Sequence, residues 1–231
     1  MKKNKTAPAS EALELLEKDL FEQMLQKSEG FVRLMTYYRC AMLEIETKFK
    51  VLNEHYSLEH DRNPINTIKT RLKKPLSIKN KLEALGFEMS EESIEKNLND
   101  IAGVRVICSF VEDVYTLADA LLLQDDIKII EKKDYIKSPK ENGYRSLHLI
   151  VSIPIFLSNE KREMRVEIQL RTIAMDIWAS LEHQIKYKKD AKFPSDLSKE
   201  LRDCADLSAR LDEKLNDIHK KAIERSYIIE P

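Results

Sequence analysis

The sequence predicts an α/β (α+β) fold, a mixed β-sheet flanked by helices and carrying helical extensions at its N- and C-terminal ends. Three observations predict it. From Glu163 to Thr172 the apolar Met164, Val166, Ile168 and Leu170 alternate strictly with Arg165, Glu167, Gln169 and Arg171. That period of two marks a strand with one face on a core. The same period recurs at Val104, Val106, Cys108 and Phe110, and again at Leu147, Leu149, Val151 and Ile153. Amphipathic helical patterns occupy 111–123 and 172–187, so 100–188 reads strand, helix, strand, loop, strand, strand, helix.

Taken in order, residues 1–10 form a polar tail. A helix then starts at Ser10, a good N-cap, and carries a stripe of Leu13, Leu16, Leu20 and Met24. Ser28-Glu29-Gly30 breaks it. A longer helix follows, with Phe31, Leu34, Met35, Tyr38, Met42, Ile45, Phe49 and Leu52 at steps of three and four. Residues 55–64 read as a polar break containing His60-Asp61, a pair found in metal phosphohydrolases but here without ligands at helical spacing. Residues 66–85 are basic and split by Pro75, after which a helix begins. Residues 94–102 lead into the strand at 103–110. A short strand is expected at 127–130 and a loop at 134–144. The helix at 172–187 has Ile173, Ile177, Leu181 and Ile185 along its stripe. A terminal helix at 196–223 carries Leu197, Leu201, Cys204, Ser208, Leu211, Leu215, Ile218 and Ala222, a heptad-like pattern suited to a bundle or an oligomer. Three units result: a helical extension at 1–64, the α/β segment at 65–190, and a contact helix at 191–231.

Composition limits the function. The 39 basic residues nearly cancel 40 acidic ones, so no global field favours duplex DNA or an acidic membrane, and any phosphate site is a local patch. Glycine numbers only 4, and neither the P-loop nor the Rossmann glycine pattern occurs. Three cysteines, Cys40, Cys108 and Cys204, stand far apart and imply a reducing compartment. No apolar run would span a bilayer and the N-terminus has no signal-like core. A cytoplasmic location is expected.

The chemistry lies in the polar faces. Asp100 and Arg105 belong to the first strand and its mouth, His148 to the third, and Glu167, Gln169 and Arg171 to the fourth. If these strands are neighbours, the six side chains share one open face. Asp100 and Glu167 could then share a Mg²⁺, a hard ion suited to carboxylates and substrate phosphates. The basic segment, with Lys69, Arg71, Lys73, Lys74, Lys79 and Lys81, could hold those phosphates. The loop 137–144 adds Lys137, Lys140 and Tyr144. Such a set suits metal-assisted phosphoryl-type transfer between nucleotides.

Four ordered motifs also carry a resemblance. Asp134-Tyr135-Ile136-Lys137-Ser138-Pro139-Lys140-Glu141-Asn142-Gly143-Tyr144-Arg145-Ser146-Leu147-His148 resembles the synthetase domain of the RelA/SpoT family. So do Asp100-Ile101-Ala102-Gly103-Val104-Arg105, Val166-Glu167-Ile168-Gln169-Leu170-Arg171-Thr172, and Arg71-Leu72-Lys73 with Ser77-Ile78 and Lys81. The match covers about 65–190, and the helical flanks make the chain look like a small alarmone synthetase of the RelQ/RelP kind. The resemblance implies a nucleotidyltransferase-like sheet and a Mg²⁺-dependent enzyme of the stringent response, which moves pyrophosphate from ATP to the 3′-hydroxyl of GDP or GTP, giving ppGpp or pppGpp. It implies Asp100 and Glu167 as Mg²⁺ ligands, with Glu167 as general base. It implies Arg71, Lys73, Ser77 and Lys81 on ATP phosphates and Arg105 on the adenine. Lys140 and His148 fall to acceptor phosphates, Tyr144 to the guanine, and Gln169 to the acceptor side with a less defined role. Glu182 and His183, on the following helix, could reach the guanine or could merely cap the site. It also implies a homotetramer.

Two departures stand out. Long family members carry R-x-K-D or E-x-D-D before the loop, where this chain has Glu131-Lys132-Lys133-Asp134. They also more often have glutamine at the position of Arg145. Acceptor preference, GDP against GTP, therefore stays open. The alternatives are a non-catalytic module binding guanine nucleotides or single-stranded RNA, against which both carboxylates argue; a nucleotidyltransferase, which would need a D-x-D pair; and a phosphohydrolase at His60-Asp61.

Overall fold

The computed structural model describes residues 24–25, 28–60, 62–187 and 193–226. The helix expected from Ser10 lies almost wholly outside them, and so does half of the His60-Asp61 pair. Helices α1 (Glu29–His60), α2 (Pro75–Ala84), α3 (Glu91–Asn97), α4 (Val111–Leu122), α5 (Ile173–Tyr187) and α6 (Ser195–Ser226) surround strands β1 (Ile65–Leu72), β2 (Ala102–Cys108), β3 (Lys128–Asp134), β4 (Leu147–Phe156) and β5 (Lys161–Thr172). The five strands run in the order β1-β2-β5-β4-β3. β2 and β5 are parallel, and the other neighbours are antiparallel. The α/β prediction of a mixed sheet holds, and the three patterned strands are the three in the middle.

The alternation of β5 explains the layering. Met164, Val166, Ile168 and Leu170 are all buried, and they share one cluster with Leu34, Tyr38, Ile45 and Phe49 of α1 and with Val114, Leu117 and Leu121 of α4. Each fully buried aliphatic side chain there contributes about 1.5–3 kcal/mol. The helix at 29–60, read as part of an extension, thus supplies one wall of the only large core cluster described. The other face of the sheet is left to the polar side chains.

Several elements differ from the sequence expectation. Residues 55–60 continue α1, because the turn contains neither Pro nor Gly, pairs His55 with Glu59 at 3.4 Å, and packs Tyr56 on the core. The first half of the basic segment folds as β1. A register shift between Ile65 and Thr67 breaks its period of two, and it stands at the sheet edge with mostly exposed side chains. β3 is the other edge and runs to Asp134, farther than the apolar residues at its start suggested. α3 was not anticipated; Ser90 caps it by accepting from the Ser93 amide at 3.1 Å. Phe110 lies beyond β2, stacked on His219 of α6 at 4.0 Å.

The stripe of α5 does not face the core. Ile177, Leu181 and Ile185 are exposed, whereas Met175 and Trp178 are buried. Trp178 donates to the Leu201 carbonyl of α6 at 2.8 Å, so α5 and α6 pack with an apolar groove open between them.

Candidate active site

Register sets a line of side chains across the whole sheet. Lys69 of β1 pairs with Arg105 of β2, Arg105 with Gln169 of β5, Gln169 with His148 of β4, and His148 with Lys133 of β3. A second line runs Arg71, Gly103, Glu167, Ile150, Glu131. Since side chains alternate along a strand, both lines stand on the face that α1 and α4 leave open.

Two clefts sit on that face. The first, about 290 Å³, is lined by Lys69, Arg71, Asp100, Arg105, Glu167 and Gln169 among others. The second, about 220 Å³, is lined by Glu131, Lys133, Tyr135, Lys140, His148 and Glu167. Glu167 lines both. The first cleft opens where Gly103 contributes no side chain to its row.

Asp100 sits just before β2 and accepts from Lys73 and Lys81 through Oδ2, each at 2.8 Å. Its Oδ1 is buried without a partner. Burial works against its charge, but the two ammonium groups prevail and hold its pKa below the usual carboxylate value. Lys73 is fixed at its backbone as well, donating to the Ile101 carbonyl at 2.8 Å. α2 begins with Pro75 at its first turn and has no side-chain cap and no acidic residue there. Ser77 is exposed in that turn, where unpaired amides and the helix dipole favour an anion.

Around Glu167 the polar groups form one chain. Arg171, almost fully buried, donates to the Tyr144 hydroxyl at 2.6 Å and to Gln169 Oε1 at 2.7 Å. Gln169 must therefore present Nε2 to Glu167 Oε2, at 3.1 Å. Burial raises the Tyr144 pKa, so the phenol keeps its proton. Its hydroxyl lies 2.8 Å from His148 Nε2, and with Arg171 already donating to that oxygen we assign the phenol as donor to the imidazole. The proton of His148 then sits on Nδ1, which faces Glu167 Oε1 at 3.7 Å. Burial, with Arg171, Lys140, Lys133 and Arg105 nearby, pushes His148 down to about 3. The imidazole is neutral at physiological pH, and its contact with Glu167 is no ion pair.

The loop between β3 and β4 brings its groups to the second cleft through a tight turn. Gly143 donates to the Lys140 carbonyl at 2.8 Å and takes φ of 89°, a conformation that glycine adopts without strain. Lys140 stands 4.7 Å from the Tyr135 ring centre and 5.1 Å from that of Tyr144. Asn142 donates to Glu182 of α5 at 3.1 Å.

Comparison with known proteins agrees with this geometry. The family described as the region found in RelA / SpoT proteins matches residues 70–192. The chain belongs to the RelA/SpoT family. The GTP pyrophosphokinase YwaC of Bacillus subtilis (strain 168) is 45% identical to this RelA/SpoT family member over 84% of this chain and 92% of YwaC. The crystal structure of small alarmone synthetase 2 from Bacillus subtilis is 42% identical, with a TM-score of 0.76 over 84% of this chain and 100% of that one. Small alarmone synthetase 1 from the same organism, solved with its product pppGpp, is 33% identical, with a TM-score of 0.76 over 84% and 98% of the two chains.

For this RelA/SpoT chain, the fold brings together Arg71, Asp100, Arg105, Glu167 and Gln169 at the first cleft, and Lys140, His148 and Glu167 at the second. Gln169, expected on the acceptor side, lines the first cleft and bridges Arg171 to Glu167. Lys73 and Lys81 stand on Asp100. Tyr144 joins His148 to Arg171. Sequence reasoning did not single out Lys133 or Tyr135 for the second cleft. Lys133 shares the alternation of β3 with Glu131, with which it pairs at 2.9 Å, but a charged edge strand gives that period no apolar partner to reveal it.

Proposed function

We propose that this protein is a (p)ppGpp synthetase that transfers pyrophosphate from ATP to the 3′-hydroxyl of GDP or GTP. One observation carries this above the rest: Glu167 is the shared wall of two clefts on one sheet face, one carrying Lys69, Arg71 and Arg105 and the other Lys133 and Lys140. A transfer between two nucleotides needs two anion-binding sites meeting at one base. The pppGpp-bound relative supports the product class.

In this reading the first cleft takes ATP. Arg105 offers its guanidinium plane to the adenine, while Arg71, Lys73, Lys81 and the α2 N-terminus at Ser77 receive the phosphates. The second cleft takes the acceptor, with Lys140 and Lys133 toward its phosphates and Tyr144 and Tyr135 beside its guanine. His148 enters as a neutral donor, through Nδ1, to Glu167 or to a phosphate oxygen. Glu167 accepts the 3′-hydroxyl proton as that oxygen attacks phosphorus. Gln169 holds one of its oxygens, and His148 Nδ1 faces the other at 3.7 Å.

The residues also fit Mg²⁺. Asp100 Oδ1 is buried and unpartnered, and a second carboxylate, Glu167, lines the same cleft. Mg²⁺ typically takes one or two carboxylates and completes its shell with phosphate and water. Among the described residues no cluster of three acidic, His or Cys groups forms a metal site, so substrate phosphates and water would have to complete the shell. Bound there, it would neutralise charge on the transferred group.

The open groove between α5 and α6 supports self-association; the tetramer rests on the family resemblance. The free cysteines support a cytoplasmic location.

The test is direct. Purified protein with ATP, Mg²⁺ and either GDP or GTP should give AMP and a tetra- or pentaphosphate of guanosine on anion exchange. Glu167→Gln should lose about 10²-fold or more in rate. AMP without a guanosine product would indicate hydrolysis. Nucleotide or single-stranded RNA binding without turnover would favour a binding module.

A further inference from the structure

We propose that Asp176, which lines neither cleft, is a positioning residue that sets the ATP side and the base side of the site to one geometry. It stands in the first turn of α5 and is buried. A carboxylate there is favoured by the helix dipole. It receives three cations from three strands. Lys69 of β1 donates to Oδ2 at 3.0 Å, while Arg105 of β2 and Arg171 of β5 donate to Oδ1 at 3.2 and 3.3 Å.

The two arginines lead in different directions. Arg105 enters the first cleft, and its buried Nε has no partner. Asp176 thus holds one edge of the guanidinium and leaves its plane open for a base. Arg171 also has a buried, unpartnered Nε, and its remaining bonds go to Gln169 and Tyr144. Gln169 in turn holds Glu167, and Tyr144 holds His148. A path of three hydrogen bonds therefore runs from Asp176 through Arg171 and Gln169 to the base. A single step joins Asp176 to the group expected on the adenine. With one carboxylate against three cations, its loss leaves Lys69, Arg105 and Arg171 to repel one another at short range.

A purely structural carboxylate would move stability and leave substrate affinities alone. A positioning one changes ATP affinity through Arg105 and turnover through Gln169. Part of this inference rests on the proposed synthetase activity, so the test has an arm that does not. Asp176→Asn should raise the KM for ATP about tenfold and lower kcat about tenfold, since small misplacements of reacting groups cost that much or more. Calorimetry with a non-hydrolysable ATP analogue should show the same weakening. In an Arg105→Ala background, Asp176→Asn should change analogue affinity much less, because of the groups it positions in that cleft only Lys69 and Gln169 remain. Unchanged kinetics and analogue affinity in Asp176→Asn would overturn the proposal, as would an affinity loss of equal size with and without Arg105. If the wild-type protein makes no guanosine product, the synthetase reading fails by itself, and the calorimetric cycle still decides the role of Asp176. Should Asp176→Asn fail to fold, Asp176→Glu keeps the charge at a different reach. It should melt like wild type yet bind the analogue more weakly; wild-type affinity in that variant would refute the idea.

Discussion

At the scale of single residues, burial and charge decide which groups can act. His148 is the clearest case. A histidine beside a nucleotide site suggests a cation for phosphates, but this one has a pKa pushed down to about 3 by burial and by four neighbouring cations. The consequence for stability has a definite sign. The unfolded chain binds a proton at this histidine near its ordinary value of 6.5, while the folded chain binds it only near 3. Between those values the unfolded state holds more protons, so stability falls as pH falls. Asp100, with its depressed pKa, adds a loss only below its ordinary 3.8. Buried Asp212, whose pKa is raised, acts in the opposite direction. Urea midpoints measured from pH 7 to pH 4 should therefore decline, and the decline should be smaller in His148→Gln. Equal slopes in the two proteins would show that His148 is not buried neutral. Asp100, Glu167 and Arg105 were visible in the sequence because their residue types and local motifs announce chemistry. Asp176 was not. Its three partners lie 107, 71 and 5 positions away in the chain, and only the sheet brings them together.

At the scale of elements, what was legible followed the apolar signal. β2, β4 and β5 bury alternating side chains and were found. β1 and β3 stand at the edges with mostly exposed residues, and one register shift in each obscures their period. The loop between β3 and β4 was recognised from its motif, but its anchorage was hidden. Arg145, a departure from the long family members, donates to the Ala205 carbonyl at 3.2 Å and to Asp206 at 3.0 Å. Arg202 reaches the Glu141 carbonyl. The loop that carries Lys140 and Tyr144 is thereby tied to α6. Gly143 sits at the contact: a Cβ there would lie 2.5 Å from Ala205 Cβ and 2.9 Å from Arg202 Cδ, at a backbone φ of 89°. Gly143→Ala should cost about 1–2 kcal/mol in backbone strain alone, and the turn should shift away from α6. The KM for GDP or GTP should rise while that for ATP changes little, because the first cleft contains no residue of this loop. A rise confined to ATP would contradict the division of the two clefts.

At the scale of the whole molecule, adjacency was the quantity the sequence left conditional. The polar residues could share a face only if β2, β4 and β5 were neighbours, and the order β1-β2-β5-β4-β3 makes them so. That Glu167 would divide two clefts required the full register. The helical flanks were legible as amphipathic, yet not which face each would bury. α1 turns its stripe into the core, whereas α5 and α6 leave theirs open. Ile177, Leu181, Leu207 and Leu211 are each more than half exposed, around a groove of about 450 Å³ that is almost entirely apolar. A contiguous apolar surface of this kind marks an interaction site. The heptad-like spacing of α6 suits another helix of the same type, so the self-association proposed above would seat a second copy of the chain in the groove. Leu211→Lys places a charge in the groove on a residue that is already half exposed, so the fold should survive. Burying that ammonium in an apolar contact costs several kcal/mol, about a thousandfold or more in an association constant. Light scattering behind size exclusion should then give a smaller assembly than wild type at the same concentration, with little change in the thermal midpoint of the dissociated chain. An unchanged mass would mean that the groove is not the contact between copies. The same variant also asks whether α6 must be held by a neighbour for the loop it anchors to stay in place. If so, its KM for the guanosine acceptor rises as the assembly falls apart, and added protein restores it.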